Sequence, residues 1–357
     1  MRIKVINTIY SPDLEFGEEL LDGIDAELIN GRWLDEESLI THSTEADAII
    51  CSGPIQAWTP RVIQSLSRCC ILASLGIGYD SIHLETATEM GIVVTNIPDY
   101  CIDEVSSHAM ALTLALGRKL FQIDRTVREQ NINFVPPRRN NISAHLNPIC
   151  RSRGQTFGIL GMGKIGTATA LKASALGFRV IAYDPYVLDE VMRSHGVEPV
   201  GFDDLLGQSD YLSLHAWLND ETRHMIDAEA FDKMKPGAFL INTARGGIVD
   251  QDALVQALQK DRLAGAGLDV TADDPISKEN PMLAMPNVIF SGHSAWYSTS
   301  SDSGEMFWHK AMGQVIQALR GQWPTYAVNP QVRGRWLERW GDENSSLHHS
   351  VAMPRQA

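Results

Sequence analysis

The sequence predicts an α/β protein built from two doubly wound parallel sheets. Three observations carry that expectation. Short runs rich in β-branched residues alternate with longer helix-like segments along the chain, which is the pattern of βαβ units. The 357 residues exceed one ordinary hydrophobic core and leave room for two domains of about 100 to 200 residues each. A glycine-rich turn, "GMGKIG" at 161–166, opens a second series of strands.

The first series has candidate strands at 3–6, 26–29, 47–51, 70–74 and 91–96, enough for one small sheet of flavodoxin-like type. Residues 104–127, "EVSSHAMALTLALGRKLFQIDRTV", follow as one long helix with apolar residues on more than one face. The interval 131–153 reads as an irregular crossing loop. The second series has strands at 156–160, 179–184, 211–215, 238–242, 265–269 and 287–291, then a helix over 301–319. That helix comes after a completed sheet, so the simplest topology returns the chain to the first domain. The expected division is 1–103 with 297–332 as one discontinuous domain, 104–296 as an inserted one, and 333–357 as a mobile tail.

Composition excludes several classes of function. Thirty basic residues against forty-four acidic ones give a net charge of −14. With no Lys/Arg run to track a phosphate backbone, nucleic-acid binding is not expected. No apolar stretch approaches the ~20 residues needed to cross a bilayer, and "MRIKVINTIYSPDLE" reads as a first strand instead of a signal peptide. A cytoplasmic protein without membrane contact is expected. The cysteines at 51, 69, 70, 101 and 150 are odd in number and lack C-x-x-C spacing, so neither a disulfide framework nor a metal site is indicated. Cys101 is expected to be a small packed side chain.

The most specific signal is "TFGILGMGKIGTATALKASALGFRVIAYDPY" at 156–186. Gly161, Gly163 and Gly166 form G-x-G-x-x-G between an apolar strand and a helix, the Rossmann dinucleotide fingerprint, with Met162, Lys164 and Ile165 between them. Gly161 permits the tight turn, Gly163 lets a pyrophosphate approach backbone N–H groups, and Gly166 allows close packing of helix on strand. Asp184 ends the next strand, eighteen residues beyond Gly166, where a carboxylate accepts hydrogen bonds from a ribose 2′-hydroxyl. Pro185 and Tyr186 follow, with no arginine to neutralise a 2′-phosphate, so NAD is expected over NADP.

With "LGIGYDSIHLETATEMGIVVTNIPDY", "INTARGGIVD", "GLDVTADDP" and "SGHSAWYS", that motif makes residues 45–330 resemble the D-isomer-specific 2-hydroxyacid dehydrogenase family. The wording "HSAWYS" and "LHAWLNDETRHMI" is most similar to its C-terminal binding protein-like branch. The resemblance implies a nucleotide domain inserted into a substrate domain, an active site in the intervening cleft, and a homodimer formed by the nucleotide domains. It implies that Arg245 binds substrate, His293 donates and accepts the proton, and Asp274, before Pro275, partners the histidine. By the same likeness the Ile77 and Gly78 amides bind the substrate carboxylate, and Tyr100 and Trp296 wall the substrate pocket. Ala216, Asn219, Thr222, Thr243, Ala244 and Asp269 line the cofactor, with Asp269 toward the nicotinamide carboxamide.

Chemistry supports the same set. A 2-keto acid must be held by its carboxylate, polarised at its carbonyl and protonated as hydride arrives. Arginine keeps its charge and engages two oxygens at once; histidine, with an ordinary pKa of about 6.5, exchanges a proton near neutrality. The chain departs from the family in Asp274, where glutamate is usual, with Asp273 as the alternative partner. Ser107 stands for an acidic residue and Ser74 for a basic one, while Ser291-Gly292 replaces Thr-Pro and is expected to be more mobile. The stretches 52–59 and 74–79 carry no Lys or Arg, so the substrate side chain is expected to be uncharged. An NAD(H)-sensing binding protein, or a dehydrogenase of a phosphorus-containing analogue, are the alternatives.

Overall fold

The computed structural model describes residues 2–10, 17–21, 23–53, 56–130, 149, 151–299 and 301–341. The chain divides into two compact units, Met1–Tyr100 with Ser298–Ala357, and Cys101–Tyr297. Both are parallel-sheet α/β units.

In the first unit, β1 (Ile3–Asn7), β2 (Ala26–Asn30), β3 (Ala48–Cys51), β4 (Ile71–Ser74) and β5 (Val93–Thr95) pair in the order β2-β1-β3-β4-β5, all parallel. Every residue of β3, β4 and β5 is buried, as expected for strands covered on both faces. Helices α1 (Glu36–Ser43), α2 (Pro60–Ser65) and α3 (Leu84–Glu89) join them. Each start is capped by a side chain: Asp35, Thr59 ahead of a proline, and His83 accept from Ser38 N, Val62 N and Thr86 N.

Two further helices belong to this unit, α11 (Ser301–Leu319), packed on β3 and β4, and α12 (Arg333–Trp340). The second corrects the expectation of a mobile tail beyond Val332. Trp336 and Trp340 lie one helical turn apart on a single face and are both buried. Trp336 Nε1 donates to Cys70 O at 2.8 Å and Arg339 Nη2 to Ser67 O at 3.0 Å. Residues 342–357 of the expected tail lie outside the described residues.

The second unit begins with α4 (Ile102–Gly117) and α5 (Leu120–Gln130) where one unbroken helix over 104–127 was expected. The apolar period runs through the break, so the sequence does not show it. Gly117 packs so closely that a Cβ there would lie 2.3 Å from the Tyr211 hydroxyl, and two residues later Lys119 turns left-handed at φ 53°. Seven strands follow: β6 (Thr156–Leu160), β7 (Arg179–Tyr183), β8 (Glu198–Pro199), β9 (Tyr211–Leu214), β10 (Ala238–Asn242), β11 (Leu263–Leu268) and β12 (Val288–Phe290). Their order is β12-β11-β10-β9-β6-β7-β8, all parallel, with the reversal of strand order between β6 and β9. Ligands of such sheets bind outside the carboxyl ends of the strands at that switch point. The short edge strand β8, ending in proline, was not anticipated. Helices α6 (Lys164–Ala175), α7 (Asp189–Ser194), α8 (Phe202–Gln208), α9 (Ala228–Lys233) and α10 (Gln251–Gln259) complete the unit.

Most of the expected crossing loop, 131–148 and 150, lies outside the described residues, and Cys150 with it. Among the described residues no helix is long and apolar enough to cross a membrane.

Candidate functional site

The glycine turn joins β6 to α6 at the switch point. Gly161 has φ 95°, and a Cβ on it would lie 2.6 Å from Ala216 N; one on Gly166 would lie 2.1 Å from Gly161 O. Both positions therefore exclude every side chain. Around the Cβ direction of Gly163 there is open space within 4 Å, and no side chain caps the start of α6 there. The helix thus offers unscreened N–H groups and the positive end of its dipole to an anion. Lys164 is exposed beside this opening, while Met162 and Gly166 are buried.

Asp184 Oδ2 accepts from Met162 N at 2.8 Å and its Oδ1 from Tyr186 N at 2.9 Å. The carboxylate therefore braces the glycine turn and still has acceptor capacity to spare. Asn219 and Thr222 build a turn of their own: Asn219 Oδ1 accepts from Glu221 N and Thr222 N, and Thr222 Oγ1 donates to Trp217 O at 2.7 Å. Thr243 Oγ1 is buried and finds no hydrogen-bond partner among the described residues. An open phosphate cradle, a carboxylate at the end of the second strand and an orphaned buried hydroxyl fit a dinucleotide.

Beyond β10, Asn242 shapes the turn that carries Arg245. Its Oδ1 accepts from Ala244 N at 3.0 Å and its Nδ2 donates to Arg245 O at 2.9 Å. Gly246 then brings this turn against the segment after β11, since a Cβ there would lie 1.9 Å from Thr271 O. Gln251, first in α10, accepts from Ala272 N at 3.2 Å and ties the same two loops. The Arg245 guanidinium, partly buried, donates through Nη1 to Ala244 O at 2.7 Å.

His293 Nδ1 lies 2.9 Å from Asp274 Oδ2. A carboxylate only accepts, so Nδ1–H donates and Nε2 is left for proton exchange. Asp273, the other candidate partner, meets Gln251 Nε2 at 3.5 Å instead. His293 is held left-handed, φ 59°, after Gly292 at φ 60°, a conformation costing about 1–2 kcal/mol in a non-glycine residue. Hydrogen bonds keep it there. His293 N donates to Asp269 O at 2.6 Å, and the buried Asp269 carboxylate accepts from Ser291 Oγ at 2.6 Å, Ser294 N at 2.9 Å and Ala295 N at 3.2 Å. The Ser291-Gly292 stretch, expected to be mobile, is thus anchored on Asp269. The described bonds of that carboxylate all go to the histidine loop. Trp296 stands next in the chain, partly exposed, in edge contact with Tyr297.

Ile77, Gly78 and Tyr100 belong to the first unit. There, three successive carbonyls are tied: Gly76 O accepts from Ile97 N at 2.8 Å, Ile77 O from Asn96 Nδ2 at 2.8 Å, and Gly78 O from Ser74 Oγ at 3.1 Å. The Ile77 and Gly78 amides donate to none of the described residues. Ser74 also accepts from Gly53 N at 3.1 Å, so it braces two loops. Tyr100 is buried against Phe307, ring centroids 4.7 Å apart.

Sequence reasoning missed Asn242, Asn96 and His108, whose partners are fixed only by folding. Ser107 was noticed as a departure, and it, Ser106 and Asp103 gather around Lys172 Nζ at 2.6–2.8 Å. The four described cysteines are buried. Burial pushes the Cys69 thiol up to about 12 and Cys51 and Cys70 up as well, which leaves them without nucleophilic character.

Residues 110–295 match the family model described as D-isomer specific 2-hydroxyacid dehydrogenase, NAD binding domain. The chain is 36% identical over 311 residues to a glyoxylate reductase of Korarchaeum cryptofilum, covering 84% of this chain and 89% of the relative. It is 35% identical over 295 residues, 83% of this chain, to a D-3-phosphoglycerate dehydrogenase of Archaeoglobus fulgidus, of whose length it spans about half, 53%. Among solved structures it is similar to the D-lactate dehydrogenase of Aquifex aeolicus complexed with NAD and lactic acid. The TM-score is 0.79 at 29% identity, over 89% of this chain and 96% of that one.

Proposed function

The chain belongs to the D-isomer-specific 2-hydroxyacid dehydrogenase family, an NAD-type oxidoreductase of 2-hydroxy and 2-keto acids acting on CH–OH groups, and from that premise we propose a more specific enzyme. It is an NAD-dependent reductase of small 2-keto acids with uncharged side chains, or in reverse an oxidant of D-2-hydroxy acids. The 2.9 Å pairing of His293 with Asp274 carries the proposal.

When bound, the cofactor exchanges hydride with the substrate C2. Everything else falls to the protein. Arg245 holds the substrate carboxylate and polarises the carbonyl, lowering the cost of the negative charge that develops on its oxygen. His293 Nε2 gives that oxygen its proton, while Asp274 keeps the ring in the right tautomer and stabilises the imidazolium on the return path. Ile77 and Gly78 contribute amides to the substrate carboxylate, and Tyr100 and Trp296 wall its side chain. Asp184 favours a ribose diol over a 2′-phosphate by charge repulsion, which gives NAD over NADP.

We assign the first unit as the substrate domain and propose a homodimer through the second unit. Supporting the dimer, α5 buries none of its residues and exposes Leu120, Phe121 and Val127 beside an apolar groove lined by Leu116, Phe239 and Ile289. The stretches "HSAWYS" and "LHAWLNDETRHMI" favour the C-terminal binding protein-like branch, with the NAD(H)-sensing reading that branch carries.

Turnover decides. Purified protein with NADH and a panel including glyoxylate, pyruvate and bulkier 2-keto acids is expected to consume NADH. His293→Ala should lose at least about 100-fold in kcat while still binding NADH. NADH binding without turnover of any keto acid would replace the enzyme by the sensor, and faster oxidation of phosphoglycerate than of simple hydroxy acids would reverse the substrate assignment.

A further inference from the structure

The strand-end network around Asp269 reaches back to α4. His108 Nε2 lies 2.8 Å from Ser291 Oγ, and that hydroxyl lies 2.6 Å from Asp269 Oδ1. The carboxylate is acceptor-only, so the single hydroxyl proton of Ser291 goes to Asp269 and Ser291 Oγ must accept from His108. His108 therefore carries its proton on Nε2. The ring does not contact the carboxylate directly, its Nε2 standing 3.9 Å from Asp269 Oδ1.

The chain reads His108 to Ser291 to Asp269, and Asp269 in turn holds Ser294 N and Ala295 N. His293 sits between the anchored residues 291 and 294, in the strained left-handed conformation described above. Two residues that flank it in sequence are thus secured on one buried carboxylate, and one of the two, Ser291, is fixed from outside the loop by a helix 183 residues away in sequence. Polar chains anchored on a buried carboxylate in this way, here with half-buried His108 and Ser291, hold their members in place when each is satisfied and are costly when one is removed.

We propose that His108 is a positioning residue for His293: through Ser291 it fixes the anchored side of the loop that presents the imidazole. The inference rests on the reading of His293 as the acid/base group. Loss of the His108 donor lets Ser291 rotate, loosens its grip on Asp269 and misplaces the ring, and a displacement of about 1 Å at a reacting group costs on the order of 100-fold in rate.

Four variants test it, compared by kcat, by KM for NADH and for the keto acid, and by thermal midpoint. His108→Leu and Ser291→Ala are expected to lose about 10- to 100-fold in kcat, with KM for NADH within about two-fold. His108→Gln, which keeps an N–H near the Nε2 position, and Ser291→Thr, which keeps the hydroxyl, should recover most of that loss. An unchanged kcat in His108→Leu, or a glutamine variant no better than leucine at equal thermal midpoint, would overturn the proposal.

A second measurement needs no turnover. In the NMR spectrum of the imidazole nitrogens, His108 should be the Nε2–H tautomer, and the His293 signals should move in His108→Leu and return in His108→Gln. An Nδ1–H His108, or His293 signals indifferent to both variants, overturns the positioning role whether or not any keto acid is reduced. Absence of turnover in the unaltered protein, with the His293 signals responding as expected, would instead remove the acid/base reading and leave the positioning intact.

Discussion

Each unit has one glycine-rich turn to which we assign anion binding, and the two are built by opposite means. The 161–166 turn is shaped mainly by what is missing: Gly161 and Gly166 have no room for a Cβ because backbone atoms of Ala216 and of the turn itself stand against them. Two side chains brace it at Met162, Asp184 accepting from its N–H and Thr167 Oγ1 donating to its carbonyl. In the 76–78 turn, by contrast, neighbouring groups tie the carbonyls: Ile97 N holds Gly76 O and Asn96 Nδ2 holds Ile77 O, which turns the amides of the same two peptides, Ile77 N and Gly78 N, the other way, and Ser74 Oγ takes Gly78 O. A turn of the first kind tolerates no substitution at Gly161 or Gly166. One of the second kind is tuned by the residues around it.

That contrast can be broken by experiment. Gly161→Ala should be the most damaging change, because neither the φ of 95° nor the backbone contact at 2.6 Å can relax cheaply. A loss of at least about 100-fold in NADH affinity, equivalent to about 2.7 kcal/mol, is expected by fluorescence titration. Retention of wild-type affinity would show that the turn has slack.

Next comes a pH effect confined to the second unit. Burial lowers the His215 imidazole to about 4 from an ordinary 6.5, and its backbone lies directly against Gly161. The unfolded chain protonates this group below about 6.5 but the folded one only near 4, so the stability it contributes is complete above pH 6.5 and is lost as pH falls toward 4. A decline on the order of 2 kcal/mol across that window is expected, read as a falling thermal midpoint, and His215→Gln should flatten it. Smaller still are the effects in the first unit. Asn96→Ala frees one carbonyl, and a hydrogen bond of about 1 kcal/mol corresponds to a rise of about 5-fold in the keto-acid KM. Ser74→Ala should raise it about 3-fold. In both, NADH affinity should stay unchanged; a parallel loss would erase the distinction between the turns.

The same contrast explains what the sequence made legible. The glycine motif is local, and its three positions can be read from eleven or so neighbouring residues. Expected strands fall where β1–β7 and β9–β12 form because parallel buried strands are continuous apolar runs. Asp274 and Asp273 are adjacent and chemically identical, so only the fold could choose between them. The break at Lys119 was hidden because the apolar period runs through it, and the close approach of Gly117 to Tyr211, far along the chain, is fixed only by folding. His108, a single imidazole among apolar helix residues, gives no local hint that its partner is Ser291.

Helix α12 bears on how the protein is made. Trp336 closes on the carbonyl of Cys70, at the very start of β4, so the first unit joins pieces synthesised hundreds of codons apart. On a ribosome, the five-stranded sheet must wait with one flank open until the last tryptophans emerge, while everything required for the second unit is already outside the exit tunnel. Nascent chains halted just past residue 340, with α12 still inside the tunnel, should therefore show protease resistance in the later-encoded unit before the earlier-encoded one.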